Sequence, residues 1–116
     1  MHDYRKLDVW KRAMALVIET CRNTEDLPAS ETYGLRTQVR RAAVSIPSNI
    51  AEGSSAATHK QFARYLRIAY GSACELDTQI RIAASLGWMP NNTASDVLDE
   101  AEGIRRMLHG LISRPA

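Results

Sequence analysis

The sequence predicts an all-α protein, an antiparallel up-and-down four-helix bundle that takes all of residues 1–116 as one domain, on three observations. Apolar residues recur at three- and four-residue spacing in four separate segments, which at 3.6 residues per turn gives four helices with one buried face each. Gly, Pro, Ser, Thr and Asn cluster between those segments and leave only short connections. No segment alternates apolar and polar residues as a strand does. Short connections make neighbouring helices reverse direction, so that each apolar stripe is covered by the next.

The first helix runs from about Leu7 to Thr24, with a seam of Leu7, Trp10, Met14, Val17 and Cys21. Pro28 ends the connection that follows, and Ser30 is the expected N-cap of a second helix from Glu31 to about Gly53. That helix carries the seam Leu35, Val39, Ala42, Ile46, Asn49 and Gly53. Inside it Pro47 has no N–H for the Ala43 carbonyl and its ring crowds that oxygen, at a cost of about 3 kcal/mol in an isolated helix, so a bend is expected there. Asn49 on the apolar seam is read as a buried polar residue that fixes register, with a ligand contact as the alternative. Thr58 and Gln61 fit a capping box that starts the third helix, whose seam is Phe62, Leu66, Ala69, Ala73, Leu76, Ile80 and Ala83 and which ends at Leu86 before Gly87. The fourth, capped by Asn92 or Thr93, carries Ala94, Val97, Ala101, Ile104, Leu108 and Leu111. A hairpin turn centred near Ala56 sets Ala42 and Ala43 against Ala69, Tyr70 and Gly71. Close backbone approach is then the expected reason for Gly71, since glycine in a helix interior costs about 1 kcal/mol relative to alanine.

Composition narrows the function classes. A hydrophobic share of 45% excludes general disorder. The longest apolar run, Ala13 to Ile18, falls far short of the ~20 residues that span a bilayer, and the charged N-terminal stretch lacks the apolar core of a secretory signal. A cytoplasmic protein without a membrane partner is expected. Cys21 and Cys74, single and far apart, are read as small buried hydrophobes rather than a disulfide or metal pair. Net charge is only +2, but residues 27–88 hold 7 basic against 4 acidic side chains.

Several stretches, namely Leu7-Asp8-Val9-Trp10, Tyr33-Gly34-Leu35, Gln38 to Ala43, Ser45 to Gly53 and Ile68 to Ser72 with Glu75, closely resemble one family. It is the bacterial four-helix-bundle proteins encoded by intervening sequences of the 23S ribosomal RNA gene. The resemblance covers nearly the whole chain and is densest in the second and third helices. It implies a ring of protomers, a homopentamer, and a kinship with the accessory variability proteins of diversity-generating retroelements, which bind nucleic acid and a reverse transcriptase through a basic bundle assembly. Many members carry a basic residue in the loop after the Glu-Gly pair, whereas Ser54 to Thr58 has none here.

Catalytic constellations are missing from the sequence. No Glu-x-x-His pair of a di-metal bundle occurs, and no phosphate loop or nucleophile elbow is present. Helical ribonucleases of the HEPN type place four to six residues between Arg and His, but Arg105 and Arg106 stand with three and two residues before His109. Glu52 and Glu75 are read as ion-pair partners of Arg36, Arg40 and Arg64. No enzyme activity, metal or cofactor is expected.

Two surfaces remain. Arg36, Arg40, Arg41, Lys60, Arg64 and Arg67 lie on adjacent helices, either as a solvated charged face or as a phosphate-binding surface that gains affinity by counterion release. A second apolar stripe runs along three helices: Val9, Ala13 and Leu16; Ala43, Pro47 and Ile50; Tyr65, Ile68 and Ile82. It either widens the core or is buried between protomers, and its presence on three helices favours the protomer interface. The expected function is a non-catalytic oligomeric scaffold that binds structured RNA or an RNA-associated protein through the basic face. The competing expectation is a protein-binding adaptor with no nucleic-acid affinity.

Overall fold

The computed structural model describes residues 2–32 and 34–115, which form four α-helices and no strand. They are α1 (Asp8–Asn23), α2 (Leu35–Ser54), α3 (His59–Ser85) and α4 (Asn91–Ile112), with single 3-10 turns at Tyr4–Lys6 and Ala29–Glu31. Each helix packs on its chain neighbour and α4 closes back on α1, giving a rod of 45 × 23 × 20 Å. None of the described helices is long and apolar enough to cross a membrane.

The caps explain most of the helix boundaries. Thr58 adopts an extended backbone and its hydroxyl accepts the Gln61 N–H at 3.2 Å, so Thr58 caps α3 as expected, without the return bond from the Thr58 N–H to the Gln61 side chain that would complete a capping box. At the other end the Trp88 N–H reaches the Ala83 carbonyl and the Gly87 N–H reaches Ala84, a pairing that needs the positive φ of 75° that Gly87 supplies. Helix α2 begins four residues later than the sequence suggests. The Pro28 carbonyl accepts from the Glu31 N–H and closes a 3-10 turn, and the Glu31 carboxylate then accepts the Leu35 N–H at 3.2 Å. Glu31, not Ser30, therefore caps α2. Helix α4 starts directly after Pro90, whose carbonyl accepts from the Ala94 N–H, and neither Asn92 nor Thr93 caps it. Tyr33, part of the family-like stretch, lies outside the described residues.

Helix α3 buries its entire expected seam, and α4 buries Ala94, Val97, Ala101, Ile104 and Leu108. Helix α1 is turned by about one residue, ~100° of helix rotation: Val9, Ala13, Leu16 and Thr20 are inside, while Trp10 and Val17 are half-buried and Met14 is exposed. Charge does not rank the two stripes, since Asp8, Lys11, Arg12, Glu19 and Arg22 centre on a side about equally far round the helix from both; the packing of α1 on α2 and α4 buries the Val9 stripe. In α2 both stripes are buried, Val39, Ala42, Ile46 and Gly53 together with Ala43, Pro47 and Ile50. Val9, Ala13, Leu16 and Ile50 thus belong to the protomer core, and Pro47, though buried, still lines the edge of a groove between α1 and α2.

Two small-residue expectations also change. Ser45 of α2 meets Ser72 of α3, which places the hairpin a little later than Ala56. The close approach of α2 and α3 is at Gly53, where an added Cβ would lie 2.8 Å from the Tyr65 Cβ and 3.3 Å from the Phe62 carbonyl oxygen. Gly71 instead faces open space, with nothing within 4 Å of an added Cβ. Cys21 is half-buried and Cys74 exposed, so the expectation of two buried thiols fails for Cys74.

Candidate nucleic-acid and assembly surfaces

Two of the six expected phosphate-binding cations are committed to the fold. Arg36 spans the connection between α1 and α2: its Nε donates to the Thr24 carbonyl at 3.0 Å, and its Nη2 to the carbonyls of Glu25 at 2.9 Å and Leu27 at 2.6 Å. Arg40, one turn further on, donates from Nη2 to the Cys21 carbonyl at 3.0 Å and from Nε to the Thr24 hydroxyl at 3.1 Å. These are the orphan carbonyls at the C-terminal end of α1, where cations also complement the helix dipole. Arg36 and Arg40 therefore spend their donors on capping a helix, and neither pairs with Glu52 or Glu75. Glu75 accepts instead from the Gln79 side chain at 3.0 Å.

Arg41, Lys60, Arg64 and Arg67 remain exposed, with no ion-pair partner among the described residues. Lys60, Arg64 and Arg67 follow one another along the outer side of α3 over about 10 Å, whereas Arg41 sits apart on α2. Asn49 donates to the carbonyl and hydroxyl of Ser45 within its own helix, at 2.8 and 3.0 Å. The bond that crosses to α3 is made by Ser45 to Ser72 at 2.8 Å, so Asn49 acts on register only by orienting Ser45.

Among the described residues exposed apolar surface forms two patches, besides Ile18 of α1, which is 48% exposed. A groove of about 350 Å³ between α1 and α2 is lined by Tyr4, Trp10, Met14, Val17, Val44 and Pro47, and Val44 is 46% exposed. The outer face of α3 shows Ile68, Ile82 and Leu86 at 46%, 45% and 55% exposure, with the solvent-facing Gly71 between them. Of the expected interface residues only Ile68 and Ile82 lie open, and Tyr65 is half-buried beside Gly53. Ser48 and Ala51 complete the groove lining, and the exposed Arg41 and Glu52 flank it on α2.

A model of the 23S rRNA-intervening sequence protein family matches residues 5–110. The chain belongs to that family. Its match reaches all four helices, ending two residues short of the end of α4. A crystal structure of a Bacteroides thetaiotaomicron protein of unknown function from the S23 ribosomal protein family superposes with a TM-score of 0.82, at 16% identity over 91% of this chain and 99% of that one. At that identity the likeness shows a shared fold. Comparison with curated proteins finds no match. No group of three or more His, Cys, Asp or Glu side chains in this family member could hold a metal ion among the described residues.

One polar cleft went unread in the sequence. Tyr70 of α3 and Glu102, Arg105, Arg106 and His109 of α4 line a hollow of about 440 Å³. Arg105 and His109, one turn apart, share the flank of α4 that faces α3, a spacing legible beforehand but weighed only against a ribonuclease motif that it misses.

Proposed function

We propose that the protein is a non-catalytic scaffold that assembles head to tail, with the groove between α1 and α2 of one copy receiving the outer face of α3 of the next. Two unlike apolar patches on different sides of one protomer carry this reading. An isologous dimer buries one self-complementary patch, whereas two distinct patches suit a heterologous contact that repeats and closes into a ring. Gly71 adds support. Nothing inside the protomer requires a glycine there, and a neighbouring backbone packed on the α3 face is a physical reason for its roughly 1 kcal/mol cost in a helix. The family resemblance implies five copies.

Nucleic acid is the proposed second partner, held through Lys60, Arg64 and Arg67 and repeated around the ring. These residues share the outer side of α3 but precede Ile68, and so lie beyond the end of the apolar stretch that the next copy covers. The exposure of these three cations and the kinship with basic accessory variability proteins support it. Light scattering tests the assembly: the expected mass is a multiple of the 12.9 kDa protomer, and Ile68→Glu is expected to give folded monomers. A monomeric wild type at micromolar concentration overturns the scaffold. An electrophoretic shift with ribosomal RNA fragments at two salt concentrations tests the second partner, and absence of binding at low salt leaves a protein-binding adaptor.

A further inference from the structure

We infer that the cleft between α3 and α4 is a phosphodiester-binding site for single-stranded RNA, with Arg105, Arg106, His109 and Tyr70 as its contacts. The inference deepens the RNA reading above and rests on it. Arg105 is set in place by Asp77 at 3.3 Å, in a pair whose side chains are both less than 20% exposed. Arg106 is held by Glu102 at 2.9 Å. Each guanidinium gives one nitrogen to its carboxylate and keeps further N–H groups of a five-donor fork, which suits a second, bidentate acceptor such as phosphate.

The rest of the lining agrees with that occupant. Tyr70 and His109 add a hydroxyl and an imidazole, polar groups that also present ring faces on which a base can stack, and Glu102 is the only carboxylate in the lining. Arg67 stands one turn before Tyr70 on α3, so the exposed run of Lys60, Arg64 and Arg67 leads toward the cleft. Tyr70 is two residues, about 200° of rotation, from Ile68, so the cleft opens on the side of α3 away from that apolar stripe and stays accessible in the proposed assembly.

The test uses the full chain and a labelled oligouridylate at about 50 and 200 mM salt, with helicity checked by circular dichroism. Arg106→Gln is expected to weaken binding about tenfold and to lower the log–log salt slope by about 0.7. Glu102→Gln removes the competing carboxylate and is expected to tighten binding severalfold, a gain that unfolding cannot produce. If both variants bind as wild type while Arg64→Gln with Arg67→Gln weakens binding, the cleft is overturned and the RNA reading stands. If wild type binds ribosomal RNA fragments but no oligouridylate at the lower salt, the cleft is overturned and the RNA reading stands; if it binds neither, both fall together.

Discussion

Arg36→Ala separates a structural arginine from a phosphate-binding one. The substitution removes three charge-assisted bonds to the carbonyls of Thr24, Glu25 and Leu27, together with a longer one to the Thr32 hydroxyl, and leaves those carbonyls in a partly buried turn. Such bonds contribute about 1.5–3 kcal/mol each when removed singly, but the three share one side chain and water can reach Glu25, so a net loss of about 2–4 kcal/mol is expected. With an unfolding entropy near 2.1 cal/mol/K per residue, a chain of this length should lose about 8–16 °C in Tm. Arg36→Lys should recover less than half, because an ammonium cannot fork to three carbonyls. Thermal unfolding followed at 222 nm reads the effect, and RNA affinity measured on the folded variant should be unchanged. A Tm within about 3 °C of wild type, or intact stability with lost RNA affinity, refutes the assignment of Arg36 to the fold.

Glycine and acid substitutions give further outcomes. Gly53→Ala drives a methyl into Tyr65 and Phe62 and should destabilise by about 1–3 kcal/mol in denaturant titration. Gly71→Ala should stabilise the isolated protomer by up to about 1 kcal/mol and weaken assembly. Burial, with repulsion from Glu100 and Asp96, raises the Glu19 carboxyl above its ordinary 4.5, so its ionised form opposes folding. Glu19→Gln should stabilise at pH 7, and the gain should vanish once the pH falls below 4.5. Burial pushes the Asp77 carboxyl up, but Arg81 and Arg105 outweigh it and hold the group below 3.8, so its stabilising contribution is lost as the pH falls below that value. Asp77→Asn should flatten that part of an acid titration.

The fold was legible because four periodic segments and their stop signals are local properties. Thr58, Gln61 and Gly87 act within one turn of where they stand. Rotation of α1 was harder, since two apolar stripes compete there and neither periodicity nor the spread of Asp8, Lys11, Arg12, Glu19 and Arg22 ranks them; only the packing of α1 on α2 and α4 does. Arg36 and Arg40 look like surface cations in sequence, and only the return of the chain from α1 to α2 brings the carbonyls of Cys21, Thr24 and Leu27 within their reach. The cleft of Tyr70 and Arg105 likewise exists only once α3 and α4 pack. Gly71 was misread because a residue count across a hairpin ignores helix phase: two residues, about 200°, separate it from both Ala69 and Ala73 of the buried seam, so it lies on the outer side wherever the turn falls.

Mixing two assembly variants tests the head-to-tail scaffold most directly. Val44→Glu spoils the groove between α1 and α2 and leaves the α3 face intact, while Ile68→Glu does the reverse, so each alone should be a monomer. Combined in equal amounts, they retain one complementary pair of faces. Analytical ultracentrifugation should then show a one-to-one complex of about twice the 12.9 kDa protomer mass. Two variants that stay monomeric on mixing, from a wild type that does assemble, would contradict the head-to-tail contact.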